Sequence, residues 1–214
     1  MNQRVNEILL RHWQSAHDLP VTGKLDSATA VSLDSVSEKQ REPAGVLPKP
    51  TFTQLLCSSA SIDIGRKEVG RNSGKYVRNL REFCGFPVNA TGAWCAIFVS
   101  YHIKQAYKLA GLGDMPFKLS RGARGLLRNI TRSDNGESIA VPEEGAIAVW
   151  RRGGGWTGHV RIVTGYDAAT DSMSWVAGNE RNAVRAGVLS HGEWRKGLVG
   201  MGRISYSKNH QAAL

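Results

Sequence analysis

The stretch Thr91-Gly92-Ala93-Trp94-Cys95-Ala96-Ile97-Phe98-Val99-Ser100 places a thiol where a glycine-containing loop turns into an apolar run. The apolar pattern continues and predicts one long helix over 94–110, around which a domain core would form. A helix N-terminus carries unsatisfied N–H groups and a partial positive charge, which favours thiolate over thiol. Cys95 is therefore a candidate nucleophile. The competing fate of a cysteine beside Trp, Ile, Phe and Val is a buried core residue.

Working outward, Gly153-Gly154-Gly155-Trp156-Thr157-Gly158 leads into His159-Val160-Arg161-Ile162-Val163, a histidine at the mouth of a β-branched strand. The next strand candidate, Ser174-Trp175-Val176-Ala177, ends in Gly178-Asn179. Cysteine, histidine and asparagine in that order form a papain-type arrangement of nucleophile, base and orienter. His102 lies seven residues after Cys95 on the same helix face, and two turns correspond to a rise of about 10.5 Å, too far for proton transfer. Upstream, residues 52–69 and 74–84 read as helices, and Ser120 is expected to cap a further helix through Ala123, Leu126, Leu127 and Ile130. Short strands are expected at 145–151, 159–166, 173–177, 183–189 and 198–205. Helices followed by consecutive strands imply an α+β fold with a largely antiparallel sheet.

Residues from about 55 to 206 resemble a phage-type CHAP or NlpC-like cysteine peptidase domain. The resemblance is carried by Gly92-Ala93-Trp94-Cys95-Ala96-Ile97-Phe98-Val99, Pro142-Glu143-Glu144-Gly145-Ala146-Ile147-Ala148-Val149-Trp150, Gly158-His159-Val160 and Gly178-Asn179-Glu180-Arg181-Asn182-Ala183-Val184, in that order. It implies a papain-like core and cleavage of a peptidoglycan amide bond. Cys95 would be the nucleophile and His159 the base, with no cofactor and no metal. Many CHAP enzymes have a glutamate two places before the asparagine, where this chain has Ala177 and instead places Glu180 after it. The third member is open between Asn179 and Glu180. Asn179 is favoured, because it follows Gly178 at a strand end as the family's orienting asparagine does. Trp94, Trp156, Arg151 and Arg152 are assigned to substrate binding. The glycine run is no phosphate loop, since no GK[ST] follows it, and Asp63 and Glu68 do not form a calcium-loop pattern.

The 214 residues suit one well-buried domain plus a small appendage. With 28 basic and 18 acidic residues the net charge is +10, which attracts polyanions such as cell-wall polymers. The basic residues are scattered and no nucleic-acid motif is present, so no nucleic-acid partner is expected. Cys57, Cys84 and Cys95 show no CxxC spacing, and the first two read as small buried hydrophobes. No secretory leader and no membrane insertion are expected, so the protein would be made in the cytoplasm and reach the wall through a holin or another delivery route.

Residues 1–34 resemble part of a small helical peptidoglycan-binding unit, with Pro-containing 35–51 as a linker, 52–207 as the hydrolase domain and 208–214 as a tail. The alternative for 1–34 is a helical hairpin packed on the hydrolase domain. The expected function is a monomeric peptidoglycan hydrolase, an endolysin with amidase or endopeptidase chemistry. Its alternatives are an injected antibacterial effector of the same chemistry and a catalytically silent wall-binding protein.

Overall fold

A computed structural model describes residues 50–153 and 157–205, with residues 7, 10, 11, 14 and 19–30 near the N-terminus. The long apolar run forms α3 (Cys95–Ala110), preceded by α1 (Phe52–Ser61) and α2 (Lys75–Cys84) and followed by α4 (Ala123–Thr131). Six strands follow: β1 (Gly136–Ile139), β2 (Ile147–Arg151), β3 (Gly158–Asp167), β4 (Ser172–Glu180), β5 (Ala183–Leu189) and β6 (Leu198–Ile204). They form one sheet in the order β1-β6-β2-β3-β4-β5, every neighbouring pair antiparallel. This is the expected α+β class with a papain-like layout.

The helices cover one sheet face. Phe98, Ile97, Ile103 and Val99 of α3 join Ile147, Val149, Val160, Ile162 and Val176 in the main core. A smaller cluster of Trp150, Trp175, Trp194, Val163, Met173 and Met201 covers the opposite face. Removing these side chains from water is the main favourable term in folding. The close approach of α3 to the sheet depends on Gly178, where a Cβ would fall 2.5 Å from Phe98 Cβ and 2.6 Å from Trp94 Cζ3. Any side chain there would push α3 away from the end of β4.

Three local expectations are corrected. The helix expected over 52–69 ends at Ser61, because the following segment pairs with the start of β5: Gly65 N donates to Val184 O at 2.9 Å and Val184 N to Arg66 O at 2.7 Å. Gly65, with φ of 89°, supplies the left-handed turn that this requires. Ser120 does not cap α4. Its hydroxyl accepts from Gly122 N at 3.1 Å in the turn before the helix, and Gly122 is an N-cap without a side-chain bond. Strand β1 was not expected, since only Ile139 in Gly136–Ile139 is a large apolar residue and both central positions are exposed; it is an edge strand paired to β6.

In the N-terminal unit, the buried side-chain amide of Gln14 donates to Thr29 Oγ1 at 2.8 Å and Lys24 O at 2.9 Å, and accepts from Gly23 N at 2.7 Å. Asp26 caps the helical residues 27–30 by accepting from Thr29 N at 2.9 Å. Most of the expected linker and the tail lie outside the described residues.

Candidate active site

Cys95 is the first residue of α3, after a Trp94 N-cap whose side chain makes no hydrogen bond to the first-turn amides. The first-turn amides are thus left to act on whatever sits at the helix end. Only 3% of Cys95 is exposed, and it lines a cleft of about 1340 Å³ with Gly92, Ala93, Gly158 and Asn179. Burial alone would raise the thiol pKa. The hydrogen bond and charge of His159, with the amides of Val160 and Ala96, outweigh burial and hold the thiol below its ordinary value. Cys57 and Cys84 show the opposite balance: burial pushes each up to about 12. Both are packing residues, as expected, with Cys57 Sγ against Val163 O at 3.5 Å.

His159 is the second residue of β3, opposite Trp150 of β2. Its Nε2 lies 2.8 Å from Glu180 Oε2, an ion-pair distance, and its Nδ1 is buried. Burial pulls the imidazole pKa down, but Cys95 and then Glu180 more than offset it, so it stands above the ordinary value. Glu180 is held down to about 2, first by its bond to His159 and then by Arg161. Arg161 Nη2 sits 3.1 Å from the same carboxylate oxygen. The guanidinium is itself fixed between aromatic faces, 4.0 Å from the Trp175 ring and 5.0 Å from Trp150. Imidazole, carboxylate and guanidinium therefore contact one another in turn, and the thiol is coupled electrostatically to the imidazole end.

Asn179 is not in that series. Its Nδ2 donates to Asn72 Oδ1 at 3.2 Å, and the residue is 5% exposed with φ of 58°. Of the two candidates for the third member, Glu180 is the one that sits against the ring. The cause is a register shift between Ala177 and Glu180 in the β4–β5 pairing. Ala177 belongs to the outer-face cluster that also holds Trp150 and Trp175. Unbroken alternation would send Asn179 to that face and Glu180 to the helices. The irregularity exchanges them.

Trp94 is also corrected. It is fully buried, its Nε1 donates to Glu68 Oε2 at 2.5 Å, and its ring meets Tyr76 edge-on at 5.8 Å, so it is a core strut with no face for substrate. Trp156 lies outside the described residues. Arg151 lines a smaller hollow of about 430 Å³ beside His159 and Glu180. Arg152 and Asn179 line both that hollow and the main cleft. Sequence reasoning did not single out Arg161 or Asn72. A strand arginine between tryptophans is readable only once β2, β3 and β4 are paired, and Asn72 lies in a loop 107 positions from its partner.

Residues 87–182 match the CHAP domain family. No curated protein matches the chain. Among solved structures, the chain is similar to the crystal structure of Ly7917, at 15% identity and a TM-score of 0.39. It is also similar to that of Ly7917 with the hydrolyzing product of MDP, at 16% identity and a TM-score of 0.41. Each alignment covers 72% of this chain and 63% of the other.

Proposed function

We propose that a CHAP domain with this thiol–imidazole–carboxylate arrangement is a cysteine hydrolase that cuts an amide bond of peptidoglycan. The observation that carries this reading is the open cleft in front of a thiol whose pKa is lowered at a helix N-terminus by His159. His159 takes the Cys95 proton, and the sulfur attacks the amide carbonyl. The Cys95 backbone N–H at the start of α3 faces the developing oxyanion. His159 then gives its proton to the departing amine, leaving an acyl thioester. Water, deprotonated by His159, attacks the thioester and restores the thiol. Glu180 keeps the ring in place and supports the imidazolium, and Arg161 holds Glu180 ionised. Asn179 and Asn72 shape the cleft wall rather than the ring.

In the proposed biological role, residues 1–34 retain the enzyme on the wall and the chain acts as an endolysin after holin-dependent release; its net charge of +10 favours wall polymers. Dye release from purified sacculi, with mass spectrometry of the products, tests the activity and identifies the bond. A new free amine that appears with the wild-type chain and not with Cys95→Ala supports the reading. Intact sacculi after prolonged incubation contradict it. Lysis on co-expression with a holin, and none without it, tests the role.

A further inference from the structure

The cleft in front of Cys95 is lined by Arg71, Arg81, Arg121, Arg124, Arg128 and Arg152, and by no aspartate or glutamate. Among the described residues, none of these six is in an ion pair, whereas Arg161, Arg195 and Arg203 of the same domain each hold a carboxylate. Uncompensated like charges around one concavity are costly unless something anionic enters.

The cleft is built for such a group in two further respects. α4 points its N-terminus into it: Gly122, Ala123 and Gly125 line the wall, and the helix has neither a side-chain cap nor an acidic residue in its first turn. Its first amides are therefore available to an anion. Independently, Arg81 is 2% exposed, and one arm is spent on the carbonyls of Asn72 and Gly92, both at 3.3 Å, while its Nε has no partner. Arg124 Nε is likewise buried and without a partner. Arg81 and Arg121 line the same cleft, and burial and then the charge of Arg121 lower the Arg81 pKa. A buried N–H donor without an acceptor is a position that a ligand oxygen can fill.

We infer that this cleft takes the substrate by a free carboxylate, held between Arg121, Arg124, the Arg81 guanidinium edge and the N-terminus of α4. Resting on the hydrolase reading above, this specifies the substrate class: a muropeptide whose stem peptide retains an ionised side-branch carboxylate rather than its amidated form. A planar guanidinium pair matches a carboxylate in two-point geometry, and a neutral primary amide presents one acceptor and repels with its NH2.

The test compares two muropeptides that differ only in that group, carboxylate against carboxamide, with the wild-type chain and the Arg121→Gln/Arg124→Gln variant. The ratio of kcat/KM values, acid over amide, is expected to be about tenfold or more in the wild type, mainly through KM, and to fall toward one in the double variant. Binding of both muropeptides to Cys95→Ala chains, with and without the arginine changes, gives the same ratio for a variant that has lost turnover. Equal kcat/KM for acid and amide in the wild type, or an unchanged ratio in the variant, overturns the carboxylate site and leaves the hydrolase reading standing. If the wild type cleaves neither, the hydrolase reading fails, and binding that does not discriminate acid from amide removes the carboxylate site with it.

Discussion

Among the described residues, two histidines stand between a hydroxyl or thiol and a carboxylate, and the contrast between them shows what such an arrangement needs in order to work. His159 lies between Cys95 and Glu180. His102 lies between Ser59, whose Oγ is 2.6 Å from its Nδ1, and Asp63, whose Oδ2 is 3.4 Å from its Nε2. By residue type alone, the second set resembles a hydrolase triad more than the first. Yet Ser59, His102 and Asp63 are each at most 1% exposed, wedged between α1 and α3 with the Phe98 ring 4.3 Å from His102. Ser59 sits in the second half of α1, away from any positive helix end. Cys95 opens the first turn of α3 and faces a cleft. A nucleophile and a base at hydrogen-bond distance are thus insufficient: access and a field that stabilises the anion separate the site from the strut.

The largest expected difference is in turnover. Cys95→Ala should lower sacculus hydrolysis by on the order of a thousandfold or more, while Ser59→Ala should leave it within about twofold, although His102 loses one buried hydrogen-bond partner. Comparable losses from the two changes in a dye-release assay would erase the distinction.

Next in size is the choice between Glu180 and Asn179. Glu180→Gln should reduce kcat by roughly a hundredfold, the scale of one general acid–base contribution, and Asn179→Ala by less. The pH profile separates their roles. The thiol is below its ordinary value and the imidazole above, so wild-type kcat/KM should form a broad bell whose acid limb follows Cys95 and whose alkaline limb follows His159. Removing the Glu180 charge lowers the His159 pKa and should move the alkaline limb to lower pH. Asn179→Ala shifting that limb as far would return the ring to the asparagine.

Much of this site was readable from local pattern. A thiol at a loop-to-helix junction and a histidine at a strand mouth depend on neighbours in the chain, and α3 and β3 fall within a residue of the expected bounds. The parts that were not readable depend on tertiary pairing. The register shift before Glu180 follows from how β5 meets β4, with Asn179, Arg181 and Asn182 all at positive φ around the turn. Trp94 looks like a cleft aromatic by proximity to Cys95, but Glu68 and Tyr76, distant in sequence, draw it into the core. α1 stops early because residues 65–68 find a strand partner more than 110 positions later.

The sealed set should matter to stability instead. His102→Ala removes one partner of a buried pair, a change on the order of 3 kcal/mol, and for a chain of this size should lower Tm by about 6–12 °C. An unchanged Tm would deny His102 a structural role. The smallest effect concerns acid. Because the Glu180 pKa is depressed to about 2, its contribution is complete above the ordinary carboxylate range and disappears as pH falls toward that value. In denaturant titrations, Glu180→Gln should therefore lose less stability over that window than the wild type, and parallel curves would contradict the ion pair.

Cys95 alone among the three cysteines is an activated thiol on the wall of the cleft, and this is tested most directly by the pH dependence of iodoacetamide alkylation in the native chain, read cysteine by cysteine by peptide mass spectrometry. Cys95 should react at lower pH than an ordinary thiol does, with Cys57 and Cys84, both pushed up to about 12, silent across the same range. Reaction of Cys95 only with the pH dependence of an ordinary thiol, or more slowly than Cys84, would contradict the account.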